Sequence, residues 1–341
     1  MPESLTMIHE QLILVWAAVI AFGVFMYVLM DGFDLGVGIL FPFAPSDEAR
    51  DVMMNSVAPV WDGNETWLVL GGTALLAAFP VAYSALLPAL YFPILLMLVA
   101  LIFRGVAFEF RFKARTSRHF WDKSFHYGSL LATFAQGLVL GGFIGGFRVE
   151  GGQFVGGAFE WLTPFSIMTG LGLIAGYALL GATWLIAKTE GDLQRWVVRV
   201  AGRLLFVVLA FIILVSIWTP LHEPAIAARW FSWPNIVFLS PVPIVTALVA
   251  YGLWYSLAKG YEGLPFVYTM GLFALSFIGL AISLWPYVIW PDITIWDAAA
   301  APETQFFVLI GAAIAIPATL AYTAYSYWVF RGKVRPGEGY H

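Results

Sequence analysis

The chain has 341 residues, 61% of them hydrophobic and only 11% charged. Soluble domains carry about 25% charged residues, so a soluble enzyme, a nucleic-acid binder and a disordered chain are excluded. A net charge of −4 offers no basic stripe for phosphate backbones, and the absence of cysteine removes disulfides, thiolate catalysis, iron–sulfur clusters and thioether-attached haem.

The composition predicts an all-α, polytopic membrane protein, with residues 1–341 forming a single integral membrane domain. One crossing takes about 20 apolar residues. Nine such runs follow one another, at about 11–40, 52–78, 81–110, 124–146, 163–187, 199–219, 236–258, 266–290 and 305–330. The first is too long for a perpendicular crossing and must tilt or extend on the cytoplasmic side. Phe79-Pro80 separates the second from the third with almost no loop, the proline ending one helix and beginning the next. The first ten residues hold Glu3 and Glu10 but no Lys or Arg. They lack the basic start of a secretory signal, so the first span is expected to be retained.

With the N-terminus outside, the inner segments hold Arg50, Arg104, Arg111, Lys113, Arg115, Arg118, Lys123, Lys188, Arg195, Arg199, Arg203, Lys259, Arg331, Lys333 and Arg335. Only Arg148 and Arg229, out of 17 basic residues, fall outside. Positive residues favour the cytoplasmic face, which predicts N-out, C-in. The segment 41–51 runs against this trend, with Asp47, Glu48 and Asp51 beside Arg50, but acids weigh little in the rule. The loops are too short to hold a soluble domain. Glycines at helix-packing spacing (Gly32/Gly36, Gly137/Gly141/Gly145, Gly172/Gly176) predict close packing within the chain.

Four acids lie inside spans: Asp31 and Asp34 in the first, Asp62 and Glu65 in the second. Each pair is spaced i, i+3, on one helix face. Counting from the inner ends near Leu40 and Val52, Asp31 and Asp62 sit on the order of 15 Å in, at a rise of about 1.5 Å per residue. The pairs are therefore expected to meet at one depth. An Asp at a helix centre costs about 2.5–3.5 kcal/mol on insertion scales, so protonation, water or a cation must compensate. Arg104 in the third span is the candidate cation. Two readings stand: a proton relay open to the cytoplasm, or a buried polar knot that fixes helix packing. Trp61 and Asn64 are expected around the acids, with glycines admitting water or a neighbouring helix.

The histidines offer no haem site. His9 and His222 fall on the outer side, His119 and His126 flank the inner basic loop, and His341 ends the chain. Lone core methionines serve packing. No metal site is expected, and Gly141-Gly142-Phe143-Ile144-Gly145-Gly146 lies inside a span, which rules it out as a phosphate loop. A proton-coupled transporter using the same carboxylates is the alternative from another class. The missing inverted repeat and the crowding of the acids into adjacent spans speak against it.

The string Asp31-Gly32-Phe33-Asp34-Leu35-Gly36-Val37-Gly38 is followed by Ala58-Pro59-Val60-Trp61-Asp62-Gly63-Asn64-Glu65-Thr66-Trp67-Leu68. Phe103-Arg104-Gly105-Val106-Ala107-Phe108-Glu109-Phe110-Arg111, Leu284-Trp285-Pro286-Tyr287 and Thr294-Ile295-Trp296-Asp297-Ala298-Ala299 complete the pattern. Over essentially its full length the chain resembles subunit II of cytochrome bd-type quinol oxidases, including the cyanide-insensitive oxidases. The resemblance implies nine transmembrane helices as two four-helix bundles plus one peripheral helix, in the bacterial inner membrane. It implies a larger subunit I carrying haems b and d and the quinol site, and small single-span subunits as further partners. No cofactor is then expected in this chain beyond a structural quinone. The implied reaction is quinol oxidation by O₂, building a proton-motive force without pumping. The implied roles are proton conduction for Asp62 and Asp31, channel lining for Asp34 and Glu65, and ion partner for Arg104.

Overall fold

The computed structural model describes residues 3–114 and 116–337. Arg115 and His341, placed above on the inner side, lie outside the described residues. In chain order the helices are α1 Glu3–Leu40, α2 Asp47–Val57, α3 Trp61–Ala78, α4 Pro80–Ala89, α5 Tyr91–Arg111 and α6 Arg118–Gly145. They continue with α7 Pro164–Lys188, α8 Gly191–His222, α9 Pro224–Phe231, α10 Asn235–Leu239, α11 Pro241–Lys259, α12 Leu264–Leu284 and α13 Pro302–Val329. Two small antiparallel hairpins, β1 Val149–Glu150 with β2 Gln153–Phe154 and β3 Tyr287–Ile289 with β4 Ile293–Thr294, lie in the α6–α7 and α12–α13 connections.

Among the described residues, 8 helices are long and apolar enough to cross a membrane: α1, α5 to α8, and α11 to α13. The protein is an all-α, multi-pass membrane protein. The second of the nine expected spans falls on α3, whose 18 residues reach about 27 Å. Its first turns carry Asp62, Asn64 and Glu65.

Helices α1, α3, α5 and α6 pack as one group and α7, α8, α11 and α12 as another, joined where α7 meets both α1 and α6; α13 lies against α3 and α1. The glycines of α1 make the seam possible. A Cβ at Gly36 would stand 1.8 Å from the Tyr177 carbonyl oxygen of α7, and one at Gly38 would stand 2.0 Å from Ser129 Oγ of α6. Only a residue without a side chain lets three backbones converge there.

Several expected spans differ in their bounds: α8 begins at Gly191 rather than at 199, α12 ends at Leu284 before the hairpin that the run to 290 included, and two further runs are divided. The stretch 52–78 is not one helix: Ser46 caps α2 by accepting from the Ala49 amide at 3.1 Å, and α2 stops before Pro59. That proline has no N–H to continue the ladder, and α3 starts afresh at Trp61. The stretch 81–110 is α4 followed by α5, the break at Leu90 placing Pro93 in the first turn of α5, where a proline is tolerated. The acidic segment 41–51 also has its account. Asp51 pairs with Arg111 at 2.7 Å and with Arg118, so it neutralises the basic α5–α6 corner.

The segment after α13 is held down. The Val334 amide donates to the Lys188 carbonyl at 2.8 Å, Lys188 Nζ donates to the Phe330 carbonyl at 2.5 Å, and Lys333 pairs with Glu262 at 2.9 Å. Bonds from Lys333 and Gln194 hold the Glu262 carboxyl below the usual carboxylate range. At the opposite end, Asp297 accepts from the Thr294 amide at 3.0 Å and from its hydroxyl at 2.5 Å, which lowers the Asp297 carboxyl in the same way.

Candidate functional site

The centre of the site is Arg104, on α5, with a side chain 0% exposed. Its guanidinium lies 2.8 Å from Asp31, 3.6 Å from Asp34 and 3.6 Å from Glu65. Three elements deliver these groups. The i, i+3 spacing of α1 points both aspartates at α5, and α3 brings Glu65 from the other side. Helix α6 closes the back: a Cβ at Gly128 would stand 2.9 Å from the Arg104 amide nitrogen, so α6 presses directly on the α5 backbone there.

Trp61 and Phe108 stack at 4.9 Å, with an interplanar angle of 9°. Arg104 Cζ lies 5.7 Å from the centroid of each ring. The aromatic faces thus take up part of the positive charge. Asn64 is buried and donates from Nδ2 to Asp34 Oδ2 at 2.7 Å and to the Met30 carbonyl at 3.2 Å. Its Oδ1 accepts from the Tyr327 hydroxyl of α13 at 2.9 Å.

The charges of this cluster are close but unsaturated. Neither Asp31 oxygen, nor Asp34 Oδ1, nor any of the three Arg104 side-chain nitrogens has an aligned hydrogen-bond partner among the described residues. An ion pair normally uses the guanidinium fork for parallel hydrogen bonds. Here one guanidinium is shared among three carboxylates, with Asp31 the nearest. Three carboxylates facing one guanidinium also exceed it in formal charge. Such a set can take up protons without leaving a bare cation.

Asp62 stands apart. Of the two pairs expected at one depth, Asp31, Asp34 and Glu65 converge on Arg104, and Asp62 does not reach it. Its side chain is exposed on the outer face of α3. Helix α3 starts at Trp61, so Asp62 occupies its first turn rather than a point ten residues inside a longer helix. Glu65, one turn on, is 29% exposed and bridges the outer face to the buried cluster.

Two groups of residues were not singled out from the sequence. Above Asp31, Tyr177 donates to Gln136 Oε1 at 2.9 Å and Gln136 Nε2 donates to the Tyr27 hydroxyl at 2.8 Å. Tyr27 lies one turn before Asp31 with its hydroxyl beside that carboxylate. An uncharged amide in the middle of an apolar span was the available signal for Gln136. Near the ends of α5 and α6, buried Arg111 pairs with Asp51 at 2.7 Å and with Asp122 at 2.5 Å. In the sequence Arg111 is one basic residue among many, so its burial left no trace there.

The described histidines lie away from the acidic cluster. His9 bonds the Ala300 carbonyl at 3.2 Å, His126 bonds the Gly38 carbonyl at 3.0 Å, and His119 and His222 are exposed. Among the described residues no group of three or more His, Asp or Glu is arranged to hold a metal ion.

Comparison with known proteins agrees with this architecture. The chain is 27% identical over 368 residues to Cytochrome bd-I ubiquinol oxidase subunit 2 of Escherichia coli, covering 96% of each chain. It is 27% identical over 333 residues to Cytochrome bd ubiquinol oxidase subunit 2 of Bacillus subtilis, covering 95% of this chain and 97% of that one. The fold is similar to that of a chain in the solved structure of bd oxidase from Geobacillus thermodenitrificans. The TM-score is 0.75 at 18% identity, over 94% of this chain and 97% of that one. The family model for cytochrome bd terminal oxidase subunit II matches residues 12–330, nearly the whole length, and the chain therefore belongs to that family.

Proposed function

We propose that this chain is the haem-free subunit II of a quinol-oxidising, O₂-reducing membrane complex, and that it supplies part of the cytoplasmic proton-uptake path. The observation that carries the reading is the graded exposure of the acids. Asp62 lies on the outer face of α3, Glu65 is partly exposed behind it, and Asp31 and Asp34 are buried against Arg104. An uncovered carboxylate on a membrane helix is costly against lipid. A second polypeptide with a hydrated seam over α3 removes that cost and gives protons a route from Asp62 to Glu65 and the cluster.

In this reading the larger subunit I covers that face and holds haems b and d together with the quinol site, while this chain supports its assembly and haem retention. Small single-span subunits and a structural quinone belong to the same proposal. So does placement in the bacterial inner membrane with the N-terminus outside and the C-terminus in the cytoplasm, which the basic ends of α5, α6, α7 and α11 favour. Protons drawn from the cytoplasm for water formation then build a proton-motive force without pumping.

The test is Asp62→Asn in the intact complex, with O₂ consumption and haem absorbance measured on the same sample. A proton-carrying Asp62 predicts at least a tenfold loss of turnover with haem content close to wild type. Equal loss of both would assign Asp62 to packing.

A further inference from the structure

A second set of polar groups reaches the acids from the side of α13. Between the α2–α3 corner, the end of α7 and the segment after α13 lies a cavity of about 230 Å³, bordered by Ser56, Lys188, Tyr327 and Lys333. From its wall the Tyr327 hydroxyl reaches Asn64, and Asn64 reaches Asp34, by bonds of 2.9 and 2.7 Å. Tyr327, a residue of the cavity lining, is thus linked through Asn64 to the buried cluster.

We propose that Asn64 is a proton barrier, whose side-chain amide interrupts this approach and confines proton uptake to the Asp62 and Glu65 face. The inference rests on the reading of Asp62 given above. A hopping proton requires each member of a chain to accept on one side and release on the other. A hydroxyl or carboxyl does this readily. The amide of Asn64 has Oδ1 occupied as acceptor and Nδ2 committed as donor to both Asp34 and the Met30 carbonyl.

Passing a proton through it would require an imidic acid, followed by a half-turn of the group to reset it. Three hydrogen bonds oppose that rotation. Nor is the reverse orientation available, because it would set Oδ1 against two acceptors, a carboxylate and a carbonyl.

The experiment uses the intact complex and steady-state O₂ reduction, with haem absorbance as the control for assembly. Tyr327→Phe alone is expected to leave turnover within twofold of wild type and its solvent isotope effect unchanged, since no proton passes there. Asp62→Asn is expected to be slow. Adding Asn64→Asp replaces the barrier with a carboxyl that can give its proton to Asp34 and take another from Tyr327. This double variant is expected to recover turnover at least fivefold over Asp62→Asn. Adding Tyr327→Phe to the pair is expected to abolish the recovery.

Severalfold slowing by Tyr327→Phe alone, with haem retained, would overturn the barrier, as would a haem-loaded double variant that recovers nothing. Should the double variant lose its haem, the Tyr327→Phe measurement decides by itself. Wild-type turnover of Asp62→Asn would instead overturn the reading of Asp62, and again leave Tyr327→Phe to decide on Asn64.

Discussion

Arg104→Met is the most direct perturbation of the site, because it removes the one cation facing three acids and keeps a straight, space-filling side chain. The Asp31 and Asp34 side chains are 1% and 0% exposed. Deleting one partner of a buried ion pair costs about 3–5 kcal/mol, since the other charge stays behind unpaired. At about 1.4 kcal/mol per factor of ten, that is roughly two to three and a half decades in the ratio of native to non-native complex. The assay is the yield of assembled complex and its thermal melting in detergent, followed by haem absorbance. A triple variant, Arg104→Met with Asp31→Asn and Asp34→Asn, separates charge from shape. It leaves no unpaired charge at those positions and should recover most of the lost stability. Wild-type yield and melting for Arg104→Met would refute the pairing. A triple variant no better than the single one would refute its electrostatic origin.

The remaining predictions concern the scaffold. Gly36→Ala places a methyl group 1.8 Å from the Tyr177 carbonyl oxygen and should destabilise by at least the 1–3 kcal/mol or so of an overpacked core. Gly202→Ala, with nothing near its added Cβ, should be neutral or mildly stabilising in the same melting assay. Lys188→Met removes the bonds to the Phe330 and Gly332 carbonyls and should raise hydrogen exchange across residues 331–336, without altering exchange in α5. Asp297 is held below its ordinary value by Thr294, so its contribution is complete above about pH 3.9 and is lost as pH falls through the lower native value. Acid should therefore weaken protection of the Thr294 amide in the native protein, while in Asp297→Asn that pH dependence should vanish.

What could be read from the sequence followed from energetics that act on single residues. Carboxylates inside apolar runs are costly enough to stand out, so Asp31, Asp34, Glu65 and Arg104 were visible before any coordinates. The break at Phe79-Pro80 was visible because proline carries its constraint with it. Asp62 was misplaced relative to its neighbours because the apolar run beginning at Val52 hides the change of helix at Pro59, and nine residues of phase were lost with it. Tyr327 and Gln136 left little signal. Their importance comes from partners 263 and 109 residues away in the chain, and no local pattern carries that information.

The two buried arginines of α5 show why burial of a charge is by itself a poor guide to function. Arg104 and Arg111 are seven residues apart, two turns on one helix, and both side chains are 0% exposed. Arg111 directs aligned bonds of 2.7 and 2.5 Å to Asp51 and Asp122, tying α2 and α6 to α5 at the edge of the helices. Its carboxylates are 37% and 18% exposed, so water shares the cost of holding them. Arg104 has three acids within 3.6 Å, the nearest being Asp31 at 2.8 Å, and both aspartates are buried with it. Three acids around one buried guanidinium carry a larger desolvation cost than the half-solvated pairs of Arg111. In the proposed proton path, the buried acids around Arg104 and the exposed carboxylate one turn away from Glu65 would be successive stations, whereas the Arg111 pairs only tie helices together.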